Sequence, residues 1–184
     1  DWKLFDGTPV LVPEGFNTNP EPDGSILLYP QGDKSVPPSG KMPRDGFFFD
    51  SIIRQEPISD EHLDVEDNLQ EFQPISAEDL QYFAAESGRL FATGRAILGN
   101  FGGTAFGDIA LVPAPWLKHP RGIRDVEEWY ISTVIRRDYI YKVYERQCEI
   151  TLGNLEKIFG AVGNRVSVVY MTGTDFGTQR GPFI

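Results

Sequence analysis

Apolar residues recur at helical spacing in three stretches of the second half of the chain. The first stretch begins at Ser76, and Asp79 three residues later completes a pattern similar to a capping box. This pattern predicts a helix that starts at Ser76 and runs to about Arg89 or Thr93. The other two stretches predict helices over residues 125–136 and 138–160, the second of which is followed by glycines.

Two short apolar runs predict strands among these helices. One covers residues 95–100, and the other is a β-branched run over residues 166–171 that is typical of a buried parallel strand. A glycine-rich loop with polar residues follows each run. Because α/β enzymes build their sites at the carboxyl ends of parallel strands, we expect both loops to face a cavity. The element order predicts an α/β fold, as part of a (β/α)8 TIM barrel or, alternatively, as a doubly wound sheet.

The first part of the chain is rich in proline, glycine and asparagine. Residues 9–16 and 25–30 predict two strands, and residues 17–24 end in a Pro-Asp-Gly turn signal between them. We therefore expect a β-hairpin. Residues 1–50 are predicted to form a hairpin and loop appendage, and residues 75–184 the α/β units of one domain that spans the whole chain.

The end of the sequence bears on how much of an enzyme is present. A strand followed by a polar loop should lead into a helix that covers the strand, and none follows the last loop before Ile184. We therefore expect the chain to be an interior piece of a larger enzyme, with one partial domain.

Asp175 and Arg180 are the candidate catalytic residues. Asp175 lies on the loop that follows the last predicted strand, where it could accept a proton or orient a substrate. Arg180 presents a planar fork suited to a carboxylate or a phosphate. The alternative, which the sequence leaves open, is that the two side chains pair with each other and brace the loop.

The candidate substrate-binding residues lie on the two glycine-rich loops. Glycines there let the backbone turn sharply or approach a ligand closely. The spacing matches neither a dinucleotide fingerprint nor a P-loop. The candidates are Asn100, Phe101, Gly103, Phe106, Thr174 and Gln179.

Charge and composition exclude some classes of partner. The formal net charge is −10, whereas a nucleic-acid binder needs positive charge to neutralise phosphates. An anionic membrane surface would repel the chain as well, and no apolar run is long enough to span a membrane. We therefore expect a small-molecule substrate and neither nucleic acid nor membrane as a partner.

Cysteine and histidine are scarce. Cys148 is the only cysteine, which excludes an internal disulfide and favours a reducing cytoplasm. We expect it to be a buried structural thiol. His62 lies in an acidic loop and His119 between a lysine and a proline, so both are expected in surface loops. This spacing predicts no metal site within the chain.

The order of four motifs resembles the uroporphyrinogen decarboxylase superfamily. They are residues 100–116 (NFGGTAFGD followed by VPAPW), residues 125–130 (DVEEWY), residues 170–184 (YMTGTDFGTQRGPFI) and residues 32–52. Residues 32–52 and the DFGTQRG run are most similar to the branch related to corrinoid-dependent methyltransferases and O-demethylases. The resemblance covers most of the chain and implies a (β/α)8 barrel.

This resemblance implies methyl transfer between a small methylated substrate or thiol and a corrinoid or corrinoid protein. Zinc held by His and Cys ligands activates the substrate in that branch, with ligands downstream of the residues given. True uroporphyrinogen decarboxylases instead remove carboxyl groups from a tetrapyrrole without a cofactor. Their Arg-Gln-Ala-Gly-Arg motif is absent from this chain. The third interpretation is a relative of these enzymes that binds a ligand without converting it. In both branches the loops that carry Phe101 and Asp175 face the cavity.

Overall fold

A computed structural model describes residues 2–101, 109–171, 173, 177–178 and 180–182. Its described residues form three α-helices, several strands of two or three residues, and four 3-10 turns. The elements in chain order are β1 (Trp2–Lys3), β2 (Pro9–Val10), β3 (Ile26–Leu28), β4 (Gly40–Met42), β5 (Asp50–Ser51), α1 (Ala77–Phe91), β6 (Leu98–Gly99), α2 (Val126–Ile135), α3 (Arg137–Val162), β7 (Val168–Val169), β8 (Gly177–Thr178) and β9 (Gly181–Pro182).

The chain divides into two compact units, each made of two segments. The first unit contains residues 1–63 and 111–131, and the second contains residues 64–110 and 132–184. The boundary between residues 131 and 132 falls within α2. None of the described helices is long and apolar enough to cross a membrane.

A three-stranded antiparallel sheet lies in the first unit. β4 is its central strand, with Ile26 opposite Met42 on one side and Gly40 opposite Ser51 on the other. Ile26 and Met42 are buried and belong to the apolar core. Gly40 allows close packing, because a Cβ atom there would lie 3.3 Å from the carbonyl oxygen of Asp50 and the neighbouring strand would have to shift slightly.

The predicted hairpin between residues 9–16 and 25–30 is wrong. β2 pairs with β1 in a separate two-stranded sheet, and β3 pairs with β4. The Pro-Asp-Gly turn does form, since the amide of Gly24 donates to the carbonyl of Glu21 and Gly24 has a φ of +82°. A turn signal fixes the local bend of the chain, whereas strand partners are chosen by packing.

Residues 17–24 are also more than the loop of an appendage. The side chain of Asn17 is buried, and its amide nitrogen donates to the carbonyl of Leu27 at 3.1 Å. The ammonium group of Lys34 donates to the Asn17 side-chain oxygen at 3.0 Å. These bonds tie the segment to the sheet of the first unit.

The helices of the second unit follow the sequence prediction closely. The hydroxyl of Ser76 accepts a hydrogen bond from the amide of Asp79, which confirms the predicted start of α1. The predictions over residues 125–136 and 138–160 are confirmed as α2 and α3. α3 ends at Gly163, whose φ of +59° terminates the helix.

β6 and β7 form a parallel pair in the second unit. Leu98 lies opposite Val168, and Gly99 lies opposite Val169. Both strands are shorter than the apolar runs that predicted them. β7 was expected to be buried, but Val168 is 55% exposed. No closed sheet occurs among the described residues, where every sheet has two or three strands. The (β/α)8 barrel remains a prediction.

Candidate functional site

The two loops that the sequence predicts to face a cavity begin at the same end of the β6–β7 pair. The amide of Tyr170 donates to the carbonyl of Gly99 at 2.9 Å, which is the last bond of the pair. Asn100 and Met171 therefore begin their loops side by side. This arrangement is the one expected where polar loops of neighbouring parallel strands contribute to one site.

Three of the candidate residues lie in the described part of the chain. Asn100 is exposed, and Phe101 is buried with 9% of its surface exposed. Arg180 is exposed in the turn between β8 and β9. The other candidates lie outside the described residues, namely Gly103, Phe106, Thr174, Asp175 and Gln179. Their proximity to one another stays a prediction.

The side chain of Phe101 turns back over its own strand. A Cβ atom on Gly99 would lie 2.6 Å from Cζ of Phe101, so the ring occupies the space that any larger residue at 99 would fill. The ring joins a buried cluster with Ile158 and Val162 of α3. It also contacts Phe83 of α1, with ring centroids 5.1 Å apart and an interplanar angle of 75°.

A cavity of about 420 Å³ opens beside this aromatic pair in the second unit. Its apolar lining comes from the segment before α1, from α1 and α3, and from Phe101, two residues after β6. The apolar side chains are Pro74, Ile75, Phe83, Phe101 and Ile158. Sites of 300 to 1,000 Å³ with a mostly apolar lining are typical of small-molecule binding.

The remaining lining residues are polar and include two carboxylates. They are Glu71, Gln73, Ser76, Asp79 and Asn154. Among the described residues that line the cavity, none is basic. The lining therefore combines an apolar surface with negative charge.

Asn154 holds one wall of the cavity in place. Its side-chain oxygen accepts from the amide of Ile75 at 2.8 Å, and its amide nitrogen donates to the carbonyl of Gln73 at 3.0 Å. The Asn154 side chain is 9% exposed, and both bonds are partly buried. The segment that leads into α1 is thereby fixed to α3.

The cap of α1 positions the carboxylate of Asp79. The hydroxyl of Ser76 donates to Oδ2 of Asp79 at 2.6 Å while it accepts from the Asp79 amide at 3.0 Å. This reciprocal pair limits the rotamers of Asp79. The sequence revealed the cap but not the cavity, because the lining comes from segments about 80 residues apart.

The VPAPW motif of the first unit is fixed by a half-buried arginine. The guanidinium of Arg54 donates to the carbonyls of Ala114 at 2.6 Å and of Leu117 at 2.7 Å. Burial, with the nearby positive charge of Arg124 as a second cause, lowers the pKa of Arg54. Ala114 is fully buried and has a φ of +47°. These carbonyl contacts hold the loop in an uncommon conformation.

The predicted histidine positions are found on the surface. His62 and His119 are exposed, and Nδ1 of His62 lies 3.0 Å from the hydroxyl of Ser59. Cys148 is a free thiol but is only half-buried. Within the described ranges, no three His, Cys, Asp or Glu side chains are grouped so that they could hold a metal ion.

No family model, no curated protein and no solved structure matches this chain. The resemblance to the uroporphyrinogen decarboxylase superfamily therefore rests on the four motifs alone.

Proposed function

We propose that the chain belongs to an enzyme of the uroporphyrinogen decarboxylase superfamily that transfers a methyl group between a small methylated substrate or thiol and a corrinoid. The observation that supports this proposal is the parallel pairing of β6 with β7. It starts the loops after Gly99 and after Tyr170 at the same edge of the pair. Those loops carry two of the four motifs on which the resemblance rests.

Asp175 and Arg180 would act on the substrate from the second loop. The carboxylate of Asp175 would accept or orient a proton of the substrate. The guanidinium of Arg180 would bind an anionic group of the substrate in two parallel hydrogen bonds. Asn100 and Gln179 would supply neutral donors and acceptors.

The described residues do not fit a zinc site, so the proposal assigns zinc no ligand among them. The corrinoid is a reactant or is carried by a partner protein. The single cysteine supports a cytoplasmic location for the enzyme.

The proposal is tested by mixing the intact protein with methylcobalamin and a panel of small thiols and following demethylation by visible absorbance. Asp175→Asn should lower turnover by about two orders of magnitude or more, the usual effect of losing a positioned acid or base. Its melting temperature should hardly change. Asp50→Asn, at an exposed position of β5, is the control and should retain full turnover.

Two results would contradict methyl transfer. Decarboxylation of uroporphyrinogen without demethylation of methylcobalamin would assign the chain to the decarboxylases. Saturable binding of the corrinoid with no turnover would support a relative that only binds. If Asp175→Asn keeps full turnover with a lowered melting temperature, Asp175 braces the loop and is not catalytic.

A further inference from the structure

The cavity between α1 and α3 has a chemistry that the proposed methyl transfer does not use. Its volume of about 420 Å³ exceeds the roughly 30 Å³ of a water molecule many times over. Water that fills it would lie against the rings of Phe83 and Phe101 and against Ile158, which offer no hydrogen bonds. A ligand with an apolar body would displace that water favourably.

The charge of the lining selects the kind of ligand. Glu71 and Asp79 each contribute a carboxylate, and no basic residue occurs among the described residues that line the cavity. An anion would be repelled. An uncharged apolar ligand would cover the polar side chains without offering them hydrogen bonds, which costs free energy.

The N-terminus of α1 contributes a partial positive charge, which is opposite in sign to the charge of the carboxylates. A helix N-terminus carries about half a positive elementary charge. The two carboxylates that line the cavity, those of Glu71 and Asp79, carry full charges that exceed this partial charge. The hydroxyl of Ser76 already accepts from one of the free amides of the first turn of α1. The described lining therefore presents carboxylates, not cations, to a ligand.

The aromatic pair favours a cation as well. The faces of phenylalanine rings carry partial negative charge and attract cations within about 6 Å. Phe83 is half-buried, and the edge-to-face contact with Phe101 fixes its ring. We propose that this cavity binds a small organic cation, with its apolar body against Phe83 and Phe101 and its ammonium group toward Glu71 and Asp79. The proposal rests on the lining of the cavity and not on the proposed methyl transfer, for which Phe101 is also a candidate substrate-binding residue.

Three probes of similar size and different charge test the proposal. Benzylammonium, benzyl alcohol and benzoate would each be titrated into the intact protein at neutral pH and low ionic strength. Binding is followed by calorimetry and by NMR shifts of the Phe83 and Phe101 amides. Benzylammonium should bind at least several-fold more tightly than benzyl alcohol, and benzoate should bind most weakly. Equal affinities, or no shift at either phenylalanine, would overturn the proposal.

Neighbouring carboxylates on α1 provide a matched pair of variants. Asp79 lines the cavity, whereas Glu78 precedes it in the same turn and does not. Asp79→Asn keeps the shape of the side chain, and the backbone amide of residue 79 can still donate to the hydroxyl of Ser76. It should weaken benzylammonium binding about threefold, the usual scale for one exposed charge pair, and leave benzyl alcohol unchanged. Glu78→Gln should change neither. An equal loss in both variants would show a general effect of charge rather than a site.

The aromatic ring provides a test that does not depend on the carboxylates. Phe83→Leu keeps an apolar side chain at a half-buried position but has no ring face, so it should weaken benzylammonium binding about threefold and benzyl alcohol binding less. A thermal transition close to that of the wild type verifies that the variant is folded. If the folded variant binds benzylammonium as tightly as the wild type, the cation binds elsewhere and the proposal is wrong.

Discussion

The side chain of Asn154 spans two backbone groups of the segment that precedes α1, and its amide makes one bond as donor and one as acceptor. An apolar replacement would leave the amide of Ile75 and the carbonyl of Gln73 without these partners. Losing a buried hydrogen-bond partner costs about 1–3 kcal/mol for each unsatisfied group. Asn154 therefore stabilises the segment more than an exposed asparagine could.

We expect Asn154→Ala to lower the free energy of unfolding by about 2 kcal/mol or more, measured by urea denaturation. Asn164→Ala serves as the control, because Asn164 is exposed in the turn after α3. It should change the free energy of unfolding by less than about 0.5 kcal/mol. Equal effects of the two substitutions would show that the Asn154 bonds make no net contribution to the free energy of unfolding.

Among the elements, the segment of residues 17–24 has a different role from the one that the sequence predicted. The sequence predicts that it can be deleted with little effect, as the loop of an appendage. In the structure Asn17 is buried and bonded to Leu27, and the neighbouring Ser25 is 1% exposed. Deletion should therefore destabilise the first unit.

We expect deletion of residues 17–24 to abolish the near-UV circular dichroism of the aromatic residues around Phe16, including Trp2 and Phe49. Thr18→Ala, an exposed position in the same segment, is the control and should leave the spectrum unchanged. A deletion variant that keeps the native spectrum and melting temperature would restore the appendage interpretation.

The helices could be predicted because their signals are local. Ser76 and Asp79 are three residues apart, and Gly163 directly follows the last turn of α3. Strand pairing could not be predicted, because β4 lies in a stretch of prolines and glycines that has no strand signal of its own. Its place between β3 and β5 comes from the packing of Met42 and the small size of Gly40.

The cavity could not be predicted from the sequence for a related reason. Phe83, Phe101 and Ile158 are each ordinary apolar residues of a core. Only their arrangement around the start of α1 leaves a space beside them. Of the three candidate residues that the structure describes, Phe101 alone lines the cavity, and its ring packs between α1 and α3.

At the scale of the whole molecule, two carboxylates make stability depend on pH. A hydrogen bond from Lys41 lowers the pKa of Asp23, and a hydrogen bond from Lys118 lowers the pKa of Asp33. Ser25 and Ser35 donate to the same carboxylates. A carboxylate with a lowered pKa in the folded state stabilises the fold above its unfolded pKa of about 4. The contribution is lost as pH falls from there through the folded pKa.

We therefore expect the free energy of unfolding to decrease as the pH is lowered below about 4. Asp23→Asn combined with Asp33→Asn should flatten this dependence in denaturant titrations at several pH values. Lys41→Gln combined with Lys118→Gln keeps the carboxylates and should flatten it partly. A double Asp→Asn variant with the pH dependence of the wild type would show that other groups cause the loss.

Exposed apolar side chains also affect the behaviour of the whole chain. Leu98 of β6 is 63% exposed, and Val168 opposite it is 55% exposed. An uncovered parallel pair presents an apolar surface and open edges that other strands can join. We expect the isolated chain to self-associate with rising concentration.

Light scattering would measure this association. Leu98→Glu should reduce it by adding a charge to the exposed pair. Leu11→Glu is the control, because Leu11 is 88% exposed but lies far along the chain from the pair. Equal reductions by both substitutions would point to general charge repulsion. A monodisperse wild-type chain at high concentration would contradict the prediction.

The parallel pairing of β6 with β7 also determines the order in which the elements can form during synthesis. The amide of Ile97 and the hydroxyl of Ser167 are bonded across the pair although they are 70 residues apart. Ribosomes add roughly 5–20 residues per second. The interval between the synthesis of β6 and that of β7 is therefore on the order of 4–14 seconds. α3 can form during that interval, because its contacts are local. The exposed strand of a nascent chain is a surface that chaperones bind, and its lifetime is fixed by the length of the helical connection.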